Sequence, residues 1–207
     1  MLTFRSSLAA QRYANSRLAL RHWLAGLLGV RPSEVQLHKT ALGGPYIADC
    51  DWSISISHAD SLSAIALSPC GAVGVDIERA RHVDDAREIA GRYFHPAERQ
   101  WLRDAYASEL SRRFLRLWVR KEAVVKAAGS GLYMGLDDWS ALRSDHGCHG
   151  AFRIADGSNR SWWVRDFDIE PEHMLAVATL PDVKDVKDVT VERRDLAWLL
   201  GAATASY

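Results

Sequence analysis

Cysteine is scarce in this chain, and net charge is missing altogether. Among 207 residues there are three cysteines, Cys50, Cys70 and Cys148, with no Cys-x-x-Cys pair and no Cys/His ligand spacing. An odd number without that spacing argues against a disulfide framework or a structural zinc site, and it fits a reducing cytosol. Lys+Arg and Asp+Glu both number 26, so formal net charge is +0. No global field draws the protein to nucleic acid or to a membrane surface, and an anionic substrate must be held by a local cluster of cations. No stretch approaches roughly 18 uninterrupted apolar residues, so no transmembrane helix is expected. Met1 to Ala10 carries Arg5, Ser6 and Ser7 and no continuous apolar run, which does not read as a signal peptide.

What remains is ordinary globular composition, 48% hydrophobic and 25% charged, with eight tryptophans to fill a core. The spacing of Leu20, Trp23, Leu24, Leu27 and Leu28 predicts a helix over 12–28, closed at Gly29 and Pro32. Val35 to Lys39 alternates like a strand, and Leu42-Gly43-Gly44-Pro45 reads as a turn. Strands are predicted over 52–58, 63–67 and 72–78. In the first, Ile54 and Ile56 oppose Ser53, Ser55 and Ser57; in the third, Val73, Val75 and Ile77 oppose Gly74, Asp76 and Glu78. Helices follow over 84–94, 96–106 and 110–128, then strands over 151–154, 161–167 and 174–180. The run 181–188 reads as a charged linker, and 190–200 as a closing strand and helix. Helix followed by strands thus occurs twice, which points to an α+β fold of two similar halves.

Four segments carry chemistry. In Gly74-Val75-Asp76-Ile77-Glu78, two carboxylates on one strand face repel unless a cation lies between them. Oxygen ligands without cysteine or histidine favour magnesium over zinc. An exposed edge strand with two solvated acids is the competing reading. Trp118, Glu122 and Lys126 recur at i, i+4 and i+8 and share a helix face; an exposed Glu–Lys pair is the bland alternative. The hydroxyl row Ser53 to Ser57 ends at His58 and suits phosphate oxygens, or else simply faces water. Lys39 precedes a glycine turn through Gly44 that lets backbone N–H groups approach a phosphate.

Taken in order and at these separations, the segments resemble the 4′-phosphopantetheinyl transferases of the longer, Sfp-like type. The matching residues are Ser57-His58, then Gly74 to Glu78, then Phe94-His95-Pro96-Ala97-Glu98, then Trp118 to Lys126, followed by Gly129-Ser130-Gly131-Leu132. The resemblance implies a monomeric, cytoplasmic α+β protein of two pseudo-twofold-related halves, divided here as 1–73 and 74–207. The active site would lie in the cleft between them. It implies that Asp76, Glu78 and Glu122 hold magnesium (manganese is a possible substitute) against the pyrophosphate of coenzyme A. Glu122, directly or through metal-bound water, would deprotonate a serine of an apo acyl, peptidyl or aryl carrier protein, and Lys126 would pair with a phosphate oxygen. His58 with Ser57, Arg17, Lys39 and Gly44 would grip coenzyme A, and Asp76 would also contact it. The acid at Glu98 has no assigned role. Gly44 stands where the family often has Lys or Arg before the proline, and basic Arg5 and Arg12 are candidates for contacts made elsewhere by an extra N-terminal segment. Arg112, Arg113, Arg116 and Arg120 are candidates for docking an acidic carrier helix, or form a solvated helix face. Two other functions use similar residues: a magnesium-dependent coenzyme A or nucleotide pyrophosphatase, and a carrier-binding module without catalysis.

Overall fold

The computed structural model describes residues 7–48, 50–69, 71–131, 135–143, 150–169, 172–180 and 192. The chain runs α1 (Ser7–Leu28), β1 (Leu37–Lys39), β2 (Pro45–Ile47), β3 (Ser53–Ala59), β4 (Leu62–Ser68) and β5 (Val73–Arg79). Then come α2 (Ala86–Tyr93), α3 (Pro96–Arg103), α4 (Ala107–Ala128), β6 (Ala151–Ala155), β7 (Ser161–Ile169) and β8 (His173–Thr179). All described strand pairs are antiparallel: hairpins β1–β2 and β3–β4, and a four-stranded sheet in the order β5-β8-β7-β6. This is the expected α+β class, with a 22-residue helix in each half. The readings over 181–188 and 190–200, Cys70, Cys148 and Leu132 lie outside the described residues.

In the first half, α1 buries Leu20, Leu24 and Ala25 against Val35, Ile47 and Ile54. Its end is a glycine stop. Gly29 has φ 68, and Val30 N–H donates back to the Ala25 carbonyl at 3.1 Å. In the second half, α4 lies on the sheet. Leu117, Val124 and Phe114 join Phe152, Trp162, Val164 and Met174 in the main core. At the N-terminus of α3, His95 accepts from Ala97 N–H while Glu98 accepts from His95 N–H, so local chemistry sets the start of that helix.

Two joints position the site. The outer edge of β5 has no ladder partner among the described strands. Instead Val73 N–H donates to Ser53 Oγ (3.1 Å) and Val75 N–H to Ser55 Oγ (3.0 Å). Serines of β3 thereby satisfy backbone donors that would otherwise be left open at a buried edge. On one face β5 meets α4 almost backbone to backbone. A Cβ placed on Gly74 would lie 1.9 Å from the Ala123 carbonyl oxygen and 2.5 Å from Ala127 N. Only glycine permits that approach.

Candidate active site

The close contact of β5 with α4 sets Asp76 beside the helix face that carries Glu122 and Lys126. Asp76 is 5% exposed. Its Oδ1 accepts from Lys126 Nζ and from Ser57 Oγ, both at 2.7 Å. Its Oδ2 is buried and has no hydrogen-bond partner. Glu78, two residues along β5, and Glu122 on α4 are each half-buried. Burial pushes the Glu122 carboxyl up, and Asp76 pushes it further against the opposing pull of Lys126. Burial likewise raises Glu78, with Arg81 pulling down and Asp76 pushing up. Both acids are thus disfavoured as anions chiefly by burial, with a smaller contribution from the neighbouring Asp76 charge. Trp118, on the same helix face, is half-buried and stacks on Phe114 and Phe94.

Basic side chains continue from this point toward α1. His58, the next-to-last residue of β3, has its ring 3.0 Å from Ser16 Oγ on α1. Partial burial of the ring, and then the charges of Lys126, Arg17 and Arg12, push its pKa below the ordinary histidine value. Arg17 and Lys39 share the ring of Tyr13, their charged groups 5.1 and 4.6 Å from its centroid. The Nε atoms of Arg12 and Arg17 are buried without a hydrogen-bond partner. One path therefore runs from three acids through Lys126, His58 and Arg17 to Lys39.

Residues 72–178, just over half of the chain, match the 4′-phosphopantetheinyl transferase superfamily. A 4′-phosphopantetheinyl transferase of Bacillus subtilis is 31% identical over 180 residues, covering 85% of this chain and 77% of that one. The chain belongs to the 4′-phosphopantetheinyl transferase superfamily. The 4′-phosphopantetheinyl transferase HetI of Nostoc is 32% identical over 126 residues, covering 59% of this chain and 53% of the relative, about half its length. A holo-(acyl-carrier-protein) synthase from Bacillus anthracis, solved in complex with CoA (3′,5′-ADP), is 18% identical with a TM-score of 0.40, over 53% of this chain and 94% of that one.

For a member of this superfamily the question is whether these acids fit a divalent cation. Among the described residues no group of three or more Asp, Glu, His or Cys side chains is arranged to hold a metal ion as it stands. The donor chemistry nonetheless fits. Asp76 Oδ2 is an unsatisfied buried acceptor. The two neighbouring carboxylates are destabilised as anions, the condition that a hard cation relieves.

Of the residues singled out in sequence, Asp76, Glu122, Lys126, Ser57 and His58 meet at the β3–β5–α4 junction. Glu78 adjoins them, and Arg17 and Lys39 lie farther along the cation path. Gly44 lies in a turn closed on itself. Glu98 is not at this site. It is 0% exposed and pairs with the equally buried Lys121 at 3.0 Å. Lys121 also donates to the carbonyls of Leu136 and Trp139, and Glu98 accepts from Ala141 N–H. This pair ties α3 to α4 and to the segment around 136–141 behind the site. The arginines proposed for docking are also engaged. Arg112 and Arg116 share Asp168, Arg113 pairs with Glu109, and Arg120 is buried on Asp166 and the Ala141 carbonyl. The sequence reading missed Tyr13 and Ser16; the i, i+4 spacing of Tyr13 and Arg17 was the available signal for the first. No helix among the described residues is long and apolar enough to cross a membrane.

Proposed function

We propose that this chain transfers the 4′-phosphopantetheine moiety of coenzyme A to a serine of an apo carrier protein, acyl or peptidyl, with release of 3′,5′-ADP. The supporting observation is the path itself: an unsatisfied Asp76 oxygen flanked by Glu78 and Glu122, continuing through Lys126, His58 and Arg17 to Lys39. A pyrophosphate carries charge along several ångströms and needs cations in series, whereas a single ion pair needs none. Family membership supports the same reading.

In the proposed reaction the carrier serine oxygen bonds to the phosphorus that bears the pantetheine arm. The bond from that phosphorus to the bridging oxygen of the pyrophosphate breaks, and its electron pair leaves with 3′,5′-ADP. The serine proton passes to Glu122, whose affinity for protons is raised by burial and by Asp76. Lys126, which donates to Asp76 Oδ1, offsets developing charge on the phosphates. His58 and Arg17 orient the nucleotide phosphates. Ser57 holds Asp76 in place through its hydroxyl and so acts on the nucleotide through that carboxylate. A magnesium ion held by Asp76, Glu78 and Glu122 would supply the remaining neutralisation of the pyrophosphate. The division into halves at residue 73 and action as a cytoplasmic monomer, without nucleic acid or membrane, belong to the same proposal.

The test is intact-mass analysis of apo carrier proteins of several classes after incubation with coenzyme A, magnesium and this protein. A mass gain of one phosphopantetheine on a carrier is expected. Steady hydrolysis of coenzyme A without any carrier would favour a pyrophosphatase instead, and no chemistry at all would favour a binding module.

A further inference from the structure

The turn that contains Gly44 spends its polar groups on itself. Thr40 N–H donates to the Gly44 carbonyl (2.8 Å), and Gly43 N–H donates to the Thr40 carbonyl (2.9 Å). Gly44 N–H donates to Thr40 Oγ1 (3.0 Å). Both glycine N–H groups are therefore engaged inside the turn, and residue 44 brings no charge. A phosphate that relied on this turn would find neither a backbone donor from Gly43 or Gly44 nor a side-chain cation at position 44.

The cation next to it is Lys39, the last residue of β1, and it does not swing free. Its Nζ lies 4.6 Å from the centroid of the Tyr13 ring, and the Arg17 guanidinium carbon lies 5.1 Å from the same centroid. Tyr13 and Arg17 are one helical turn apart on α1, so the backbone itself brings the guanidinium to the ring. Two like charges drawn to one place repel unless something between them is electron-rich. The negative face of an aromatic ring serves that purpose. Burial pushes the phenol up, but hydrogen bonds and charge from Lys39 and Arg17 outweigh it and lower the phenol overall, so both cations also engage the oxygen. Arg17 Nε has no hydrogen-bond partner although it is buried, and neither has Arg12 Nε. Guanidinium N–H groups left open in this way call for an anionic acceptor.

We propose that Tyr13 is a positioning residue of the nucleotide site: its ring holds the cations of Lys39 and Arg17 together so that the pair grips a phosphate of coenzyme A that the Gly44 turn leaves unheld. This rests on the coenzyme A reading above. Tyr13 acts through the two cations, so its loss weakens nucleotide binding without touching the acids or Lys126. A lysine held in place also loses less freedom on binding than one that must be ordered by the ligand.

Calorimetric titration of 3′,5′-ADP into the full chain, without carrier, tests this at two salt concentrations. Wild type, Tyr13→Phe, Tyr13→Leu, Lys39→Ala and the Tyr13→Leu/Lys39→Ala double variant are compared, with melting curves to show that each is folded. Tyr13→Leu is expected to weaken binding about ten-fold. Tyr13→Phe keeps the ring and is expected to lose much less. The double variant is expected to lose less than the product of the two single losses, because part of the ring's effect passes through that lysine and the rest through Arg17. In carrier assays KM for coenzyme A is expected to rise in Tyr13→Leu while kcat holds. Tyr13→Leu binding like wild type, or losses in the double variant that simply multiply, would overturn the proposal while leaving the coenzyme A reading intact. Should Tyr13→Leu fail to fold, Tyr13→Phe decides: a loss as large as that of Lys39→Ala would refute a role for the ring. Absence of 3′,5′-ADP binding by wild type would remove the reading itself and Tyr13's role with it.

Discussion

Replacing Gly74 by alanine adds one methyl group at the place where β5 and α4 touch. That carbon would stand 1.9 Å from the Ala123 carbonyl oxygen and 2.5 Å from Ala127 N. Both obstacles are main-chain atoms of a helix, so no side chain can turn aside; strand and helix must separate by roughly 1.5 Å to restore ordinary contact. Overpacking of this kind costs about 1–3 kcal/mol and occasionally more, and backbone obstacles put this case at the upper end. For a chain of this size about 3 kcal/mol lowers Tm by roughly 6–12 °C. The same separation moves Glu122 and Lys126, which flank Ala123 and Ala127 on α4, away from Asp76. The 2.7 Å contact from Lys126 to Asp76 cannot survive it without a compensating side-chain shift. A misplacement of about 1 Å in a catalytic constellation can cost on the order of 100-fold in rate. Thermal melts and transfer assays well below the lowered Tm measure both effects. Gly74→Ala with wild-type Tm and wild-type kcat would refute the reasoning that this contact sets the site.

Asp76→Ala and Glu122→Ala are each expected to abolish transfer with the fold retained by circular dichroism, and normal transfer by either would remove it from the metal and base assignments. Lys126→Ala is expected to slow transfer more than Glu98→Gln, since Lys126 faces Asp76 whereas Glu98 lies behind the site; equal rate losses at matched folded fractions would contradict this. Lys121→Met leaves the Glu98 carboxylate buried without its cation and is expected to cost about 3–5 kcal/mol in denaturant unfolding, with Lys121→Met/Glu98→Gln costing less than the two singles combined. Purely additive losses would show that the two are not coupled. In the β6–β7 hairpin, burial pushes Asp156 up, but bonds from Trp162, Arg160 and Ser158 outweigh it, so its pKa is lowered in the folded protein. Its stabilisation is therefore present above the unfolded value, about 4, and is lost as pH falls toward the lower folded value. Wild type is expected to out-melt Asp156→Asn at neutral pH, with the gap closing below about pH 4; a gap independent of pH would show that the charge is not what matters.

The elements with strong periodicity were legible from residues alone. Alternation in Val73 to Glu78 placed Gly74 and Asp76 on one face, and the α4 pattern put Trp118, Glu122 and Lys126 on another; the fold brings those two faces together. The small strand β2 was not legible: it is three residues long, and its first residue, Pro45, closes the turn read over 42–45. Partners distant in sequence were not legible. The row Ser53, Ser55, Ser57 reads locally as a polar face, yet two of its hydroxyls accept N–H groups from β5 and the third donates to Asp76. Nothing in that segment announces that an open strand edge twenty residues on will need acceptors. The arginines of α4 likewise look solvent-directed until Asp166 and Asp168 of β7 arrive beside them. Glu98 was recognisable as an acid of the family pattern, but its role depends on Lys121, whose turn away from the Glu122 face only the packed core reveals.

Locating the ion bears most directly on how the site works. Crystals grown with manganese and coenzyme A, with data collected at the manganese absorption edge, should show an anomalous peak at ligand distance from carboxylate oxygens of Asp76, Glu78 and Glu122, with the pyrophosphate completing the sphere. A peak away from these three acids, or coenzyme A bound elsewhere, would contradict the account.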